Sequence, residues 1–257
     1  MQQFTSDNES TTFINSNFEK LESDYEESKQ SLNEKFLSNP PISDNEMKIL
    51  GLQESCKDKV RVFDTKDNLK LFHYIESEPT DDVSHVKGVI VDTNTDKIVC
   101  MSMPHVPECL VSNFDFNLIE NYEQLVAVES PEGTFIRLFY SEDKNSWIFS
   151  THKNINGENK RWGSPSFGSL FLQTVNASGP LNDLVEGDTN NINNNSLVSI
   201  LNKKYCYTFL VSHPYNNLVC KITQPRLFHM LTYDVENQKM TQCTINHPSV
   251  YYLTHFQ

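Results

Sequence analysis

Phe135-Ile136-Arg137-Leu138-Phe139-Tyr140, then the polar stretch 141–146, then Trp147-Ile148-Phe149-Ser150 is the part of this chain that decides its fold. Two short apolar, aromatic runs on either side of a polar turn make a β-hairpin. The same pattern recurs outward in both directions. Residues 60–63 and 69–74 flank the polar turn 64–68, and 86–92 and 97–101 flank Thr93-Asn94-Thr95-Asp96. Residues 205–211 and 217–222 read as a fourth hairpin around His213-Pro214-Tyr215. Successive hairpins with few helical stretches predict an α+β protein built on antiparallel sheets, partly barrel-like, with a cleft between them.

Helices are expected chiefly at the front. Ile14, Phe18, Leu21, Tyr25, Ser28, Leu32 and Phe36 step by three or four until Ser38-Asn39-Pro40-Pro41 stops the pattern. The helix over 14–37 is acidic, with Glu22, Asp24, Glu26 and Glu27 in one run. It reads first as a solvated face and second as a docking helix for a protein partner. Residues 1–40 are therefore an acidic extension, partly disordered and partly helical, and 41–257 the core. Ser43 with Glu46 three residues on is a capping-box pattern and starts a short helix over 43–55. The run Gly187 to Asn195 is a low-complexity loop.

The chain has 257 residues and a formal net charge of −13. That length can bury a core without staples. That charge excludes gripping long nucleic acid through bulk charge, because such binding sets Lys and Arg against phosphates. A local basic site is not excluded. Cys56, Cys100, Cys109, Cys206, Cys220 and Cys243 are scattered, with no zinc-ligand spacing, and read as reduced thiols. No histidine pair has metal spacing, and no P-loop, G-x-S-x-G or G-x-G-x-x-G occurs. The start MQQFTSDNES has neither the basic nor the apolar part of a secretory signal, and no apolar stretch is long enough to span a membrane. An intracellular location is expected, in host cytoplasm or virion.

Three landmarks follow one another. The first is Lys87-Gly88-Val89-Ile90-Val91-Asp92 with Lys97-Ile98-Val99. The second is Ser130-Pro131-Glu132-Gly133-Thr134-Phe135-Ile136-Arg137, leading to Ser150-Thr151-His152-Lys153. The third is Tyr207-Thr208-Phe209-Leu210-Val211-Ser212-His213-Pro214-Tyr215-Asn216-Asn217-Leu218-Val219. Gly133 permits close backbone approach. Glu132 can accept hydrogen bonds, and Arg137 offers a planar, permanently charged fork to a ribose or phosphate. Thr151, His152 and Lys153 add donors. Between the last two landmarks, Lys160-Arg161-Trp162-Gly163-Ser164-Pro165-Ser166-Phe167-Gly168 is a basic, aromatic, Gly-rich segment suited to phosphate or base contact, or equally a surface loop with Trp162 anchored in the core.

In this order the landmarks, over about residues 60–230, resemble the nucleotidyltransferase domain of RNA ligases, in a variant found in large DNA viruses. The resemblance implies an ATP-grasp-like core of antiparallel sheets with the nucleotide in a cleft between them. It implies ATP and Mg²⁺ as cofactors and a nucleotide or RNA end as partner. Glu132, Gly133, Arg137, Thr151, His152 and Lys153 would be its nucleotide-binding residues, and Lys160, Arg161 and Trp162 its RNA or phosphate contacts. The family's lysine forms a phosphoramidate with AMP. Here Ser130 holds that position, and Lys153 is the candidate to replace it. Leu210 stands where the later motif has an acid, and neither a following Glu-Gly nor a Lys-x-Lys appears. The expectation is a catalytically degraded binder of nucleotide or RNA ends. The alternatives are an active adenylyltransferase with a displaced lysine, and a structural component of a viral particle or complex.

Overall fold

The apolar runs do form hairpins, and their turns carry residues that tolerate the left-handed backbone such turns need. The computed structural model describes residues 36–76, 78–107, 127–163, 165–177, 192–216 and 219–253. The chain divides into two units, Met1–Pro40 and Pro41–Gln257, and the strands among the described residues lie in the second. Of the acidic helix expected over 14–37, only Phe36 and Leu37 fall among the described residues; the rest, with its docking role, lies outside them.

Helix α1 (Asp44–Ile49) starts on the expected capping box. A 3₁₀ turn, Glu54–Lys59, leads into β1 (Val60–Lys66), β2 (Leu69–Tyr74), β3 (Lys87–Asp92) and β4 (Lys97–Cys100). These pair in chain order as one antiparallel sheet. The second sheet contains β5 (Thr134–Ser141), β6 (Ser146–Ser150), β7 (Tyr205–Ser212), β8 (Arg226–Asp234), β9 (Lys239–Thr241) and β10 (Val250–Tyr251). Its order is β10-β8-β7-β5-β6, with β9 also on β8. Helices α2 (Phe167–Asn176) and α3 (Ser196–Ser199) come from the connection between β6 and β7. Asp67, Asp96, Asn145 and Gln238, one at each tight hairpin turn, have φ between 46° and 55°. Asp and Asn enter this region more cheaply than most residues.

The fourth hairpin differs from the sequence expectation. The partner of β7 is β8, with Tyr205 opposite Asp234 and Ser212 opposite Arg226, and not the run 217–222. Its described part, Val219 to Ile222, lies outside the strands, and the N–H groups of Val219 and Cys220 go to the Glu132 carboxylate instead. The β10–β8 pair is parallel, the exception in an otherwise antiparallel system.

Two open sheets lie face to face in place of a partly closed barrel. Alternate residues of a strand face opposite sides. The outer face of the first sheet packs Val62, Phe72, Tyr74, Val89 and Val91 under Met47 and Leu50. Between the sheets, Leu69, Leu71, Ile90 and Cys100 meet Phe139, Ile148, Cys206 and Tyr233. The outer face of the second sheet packs Ile136, Leu138, Phe149 and Phe209 against Phe171 of α2 and Leu197 of α3. Each sheet is covered on both faces, which is why β3 and β7 read as nearly continuous apolar runs. Among the described residues, no helix is long and apolar enough to cross a membrane.

Candidate functional site

On β5, Ile136 and Leu138 belong to the helix side, so Phe135, Arg137 and Phe139 face the first sheet. Arg137 is 0 % exposed. Its guanidinium donates to the Gly88 carbonyl on β3 and to the Thr151 carbonyl just after β6, which ties the two sheets together. Its Nε has no partner. Gly88 makes this approach feasible: φ is +77°, and a Cβ there would sit 2.5 Å from the His152 carbonyl oxygen and 2.7 Å from its Cα. The sheets meet here backbone to backbone.

Around this tie stand His73 of β2, Lys87 of β3, and His152 and Lys153 of the turn after β6. The Thr151 N–H donates to the Asn154 carbonyl at 2.9 Å, and the Ile155 N–H donates to Asp64 of β1 at 2.8 Å. That turn is thereby held against the first sheet. His152 stacks on Phe135 with ring centroids 5.6 Å apart, and its Nε2 lies 2.7 Å from the Ser102 hydroxyl. His73 Nδ1–H donates to the Tyr74 carbonyl at 2.6 Å. Lys153 Nζ lies 5.7 Å from the centre of the Phe63 ring.

Burial pushes His73 down to about 3, with the charges of Lys153, Arg137 and Lys87 adding to it. Burial also holds His152 well below its ordinary value, and Arg137, Lys87 and Lys153 act in the same direction. Both rings are therefore neutral at pH 7. Lys87 is itself lowered by burial. The charged side chains that act most on both histidines are all cations. Among the described residues no carboxylate lies within ion-pair distance of Arg137 or Lys87. Arg137 and Lys87, with Lys153 near them, thus place positive charge at one end of the inter-sheet layer of an acidic chain.

Ser130 and Glu132 lie in the segment that leads into β5, away from this tie. They line a cavity of about 240 Å³ with Ser212, Lys221 and Arg226. The Glu132 carboxylate accepts the N–H groups of Val219 at 3.0 Å and Cys220 at 2.7 Å, so it anchors that loop. Gly133 is close-packed: a Cβ there would lie 2.4 Å from the Val211 carbonyl oxygen. Gly133 immediately precedes β5 and stands four residues from Arg137, about 13 Å along extended chain. The row between them is Phe135, Leu210 and Phe228, which are opposite one another. Leu210, at the position of the missing acid, is 2 % exposed.

Lys160, Arg161 and Trp162 are exposed. Trp162 stands edge-on to Phe167, with centroids 5.9 Å apart, and Phe167 belongs to the helix-side core. The segment therefore lies toward the face of the second sheet opposite Arg137. The structure brings together Arg137, Thr151, His152 and Lys153, and separately Ser130 and Glu132. Sequence reasoning missed His73, Lys221 and Arg226 as site residues, which no motif marks; Lys87 it placed in the first landmark, where the resembled family often has Arg, without giving it a site role. Among the described residues no group of three or more His, Cys, Asp or Glu could hold a metal ion. The charged side chains at the patch are cations, and among the described residues no carboxylate pairs with Arg137 or Lys87, so a resident Mg²⁺ does not fit there.

No family model matches the chain. It is similar to a curated viral protein, the immediate-early protein ICP-46 homolog of Invertebrate iridescent virus 3. The two are 29 % identical over 154 residues, which is 56 % of this chain and 31 % of that relative. The chain thus spans less than a third of the length of the relative it matches.

Proposed function

We propose that this chain is an RNA ligase-like, nucleotidyltransferase-fold protein that binds the phosphates of a nucleotide or RNA end and lacks the covalent step. One observation carries the reading: a fully buried Arg137 with carbonyl partners, no carboxylate within ion-pair distance among the described residues, and Lys87 and Lys153 beside it. A buried charge without a counter-charge costs several kcal/mol. An anion held by Lys87 and Lys153 at the rim offsets part of that cost. Arg137 contributes its field and the spacing of the sheets, not a direct contact. Ser130 offers no amine for a phosphoramidate, and no step through a metal ion is derived. The relative's viral origin supports reading this chain as a viral, intracellular protein.

Calorimetric titration with ATP and with a short RNA, with and without a 5′-phosphate, tests this. Both phosphorylated ligands should bind, more weakly at high salt. Lys87→Ala and Lys153→Ala should each weaken binding about tenfold, as expected for one charged hydrogen bond. Absence of heat with every ligand, or indifference to both substitutions, rejects the reading. A second reading, adenylyl transfer by a displaced lysine, is favoured by Lys221, which lines the same cavity as Ser130. It requires a covalent AMP label from ATP that Lys221→Met abolishes; an unlabelled protein excludes it.

A further inference from the structure

Cys100 ends β4 and Cys206 is the second residue of β7, so each sheet supplies one of them. Both side chains point into the inter-sheet layer, 0 % and 1 % exposed. Their sulfurs are 3.4 Å apart, with the Cys206 thiol donating to the Cys100 sulfur. Cys206 also reaches the Met101 carbonyl at 3.7 Å, and Cys100 lies 3.6 Å from the Ser150 hydroxyl. A disulfide needs its sulfurs about 2.05 Å apart, so closing this pair takes an approach of roughly 1.4 Å. No other described cysteine has such a neighbour. Cys56 donates to Asp82 at 3.1 Å, Cys220 is exposed, and Cys243 packs on the helix side.

The two thiols are unequal. Burial alone raises a thiol. At Cys100 the hydrogen bond from Cys206, the Arg137 charge and the Ser150 hydroxyl outweigh burial and lower it. At Cys206 burial and the neighbouring sulfur raise it. One sulfur is set to act as thiolate and the other keeps its proton, which is the division between an attacking and a resolving cysteine.

We propose that Cys100 and Cys206 form a redox-active dithiol, which a peroxide oxidises to a disulfide joining the two sheets. The Cys100 thiolate attacks one oxygen of hydrogen peroxide. An S–O bond forms, the O–O bond breaks, and the second oxygen leaves as water after taking a proton. The Cys206 sulfur then gives up its proton and attacks the sulfenic sulfur. The S–S bond forms, the S–O bond breaks, and a second water leaves. The two sulfurs lose two electrons and the peroxide gains them. Hydrogen peroxide is close to water in size, so local opening admits it. The link closes the chain from residue 100 to residue 206, a long loop whose closure restricts the unfolded state.

Treating the full chain with graded hydrogen peroxide, followed by alkylation, peptide mapping and thermal melting, tests this. The expected result is a cross-linked peptide pair containing Cys100 and Cys206. A Tm rise of roughly 10 °C should accompany it and be reversed by dithiothreitol. Cys220→Ser should retain both effects. Cys206→Ser should lose them and leave Cys100 over-oxidised. If that variant does not fold, the map of the unaltered chain decides alone. Free Cys100 and Cys206 after oxidation, or oxidised sulfurs without the cross-link, overturn the proposal.

Discussion

Gly88 and Gly51 both have positive φ, +77° and +68°, and differ in everything around them. A Cβ at Gly51 meets nothing within 4 Å. A Cβ at Gly88 meets three backbone atoms of His152, none of which can swing aside. Gly51→Ala should cost about 1 kcal/mol, the left-handed penalty alone. Gly88→Ala should cost roughly 2–4 kcal/mol, because it also forces the sheets apart. Urea unfolding of the two variants checks the difference, and equal losses would show that the close approach at Gly88 does not matter. The same spreading draws the Gly88 carbonyl off Arg137. Arg137 itself marks a limit of legibility. Its charge and its place on a strand are plain in the sequence, and so is its side of the sheet. Its depth is not: whether the guanidinium reaches a ligand or two carbonyls depends on how closely β3 approaches, and Gly88 and His152 decide that together. Glu132 is similar. Its residue type suits a ligand, but two N–H groups of its own chain occupy it.

Helix α1 is short, so its end contacts carry unusual weight. Ser43 caps it, and the Glu46 carboxylate accepts from the Ser43 N–H at 2.7 Å and from its hydroxyl at 2.9 Å. The same carboxylate takes Lys70 of β2 at 2.7 Å, which fastens the helix to the first sheet. Ser43→Ala should cost about 1 kcal/mol. Glu46→Ala should cost more, about 2–3 kcal/mol, because a charge-assisted bond goes with the cap. Chemical denaturation checks the order, and a smaller loss for Glu46→Ala would detach the ion pair from stability. This cap was legible because Ser43 and Glu46 are local in sequence. Three hairpins were legible for the same reason. The partner of β7 was not: a nearer apolar run, 217–222, competes with β8 on pattern alone. What disqualifies its described part is a remote carboxylate that takes its N–H groups. Helix α2 does carry a readable signal, Ser166 as cap and then Phe167, Leu170, Phe171, Thr174 and Val175 on one face. The Gly-rich basic stretch just before it conceals it.

The two covered sheets take titratable rings largely out of water. Burial lowers His73 to about 3 and takes His152 well below its ordinary 6.5. His213 is lowered by burial too, to about 4. In the unfolded chain these rings take up protons as pH falls through about 6.5, while in the folded chain they refuse them. Stability from this source is therefore complete above pH 6.5 and declines as pH falls from there, down to about 4 for His213 and about 3 for His73. Each of the two rings beside Arg137, His73 and the half-buried His152, contributes a slope of up to about 1.4 kcal/mol per pH unit. Glu46, lowered because its bonds to Lys70 and Ser43 outweigh burial, adds to the loss once pH falls through its ordinary 4.5. A domain with about 5–15 kcal/mol of stability thus loses a large share of it before its carboxylates titrate. Urea unfolding at pH 7.5, 6.5 and 5.5 measures the slope, and His73→Asn should remove close to half of what the two rings supply. A stability that stays level from pH 7.5 to 5.5 would mean that both rings are protonated in the fold. They would then add to the positive patch rather than stand neutral within it.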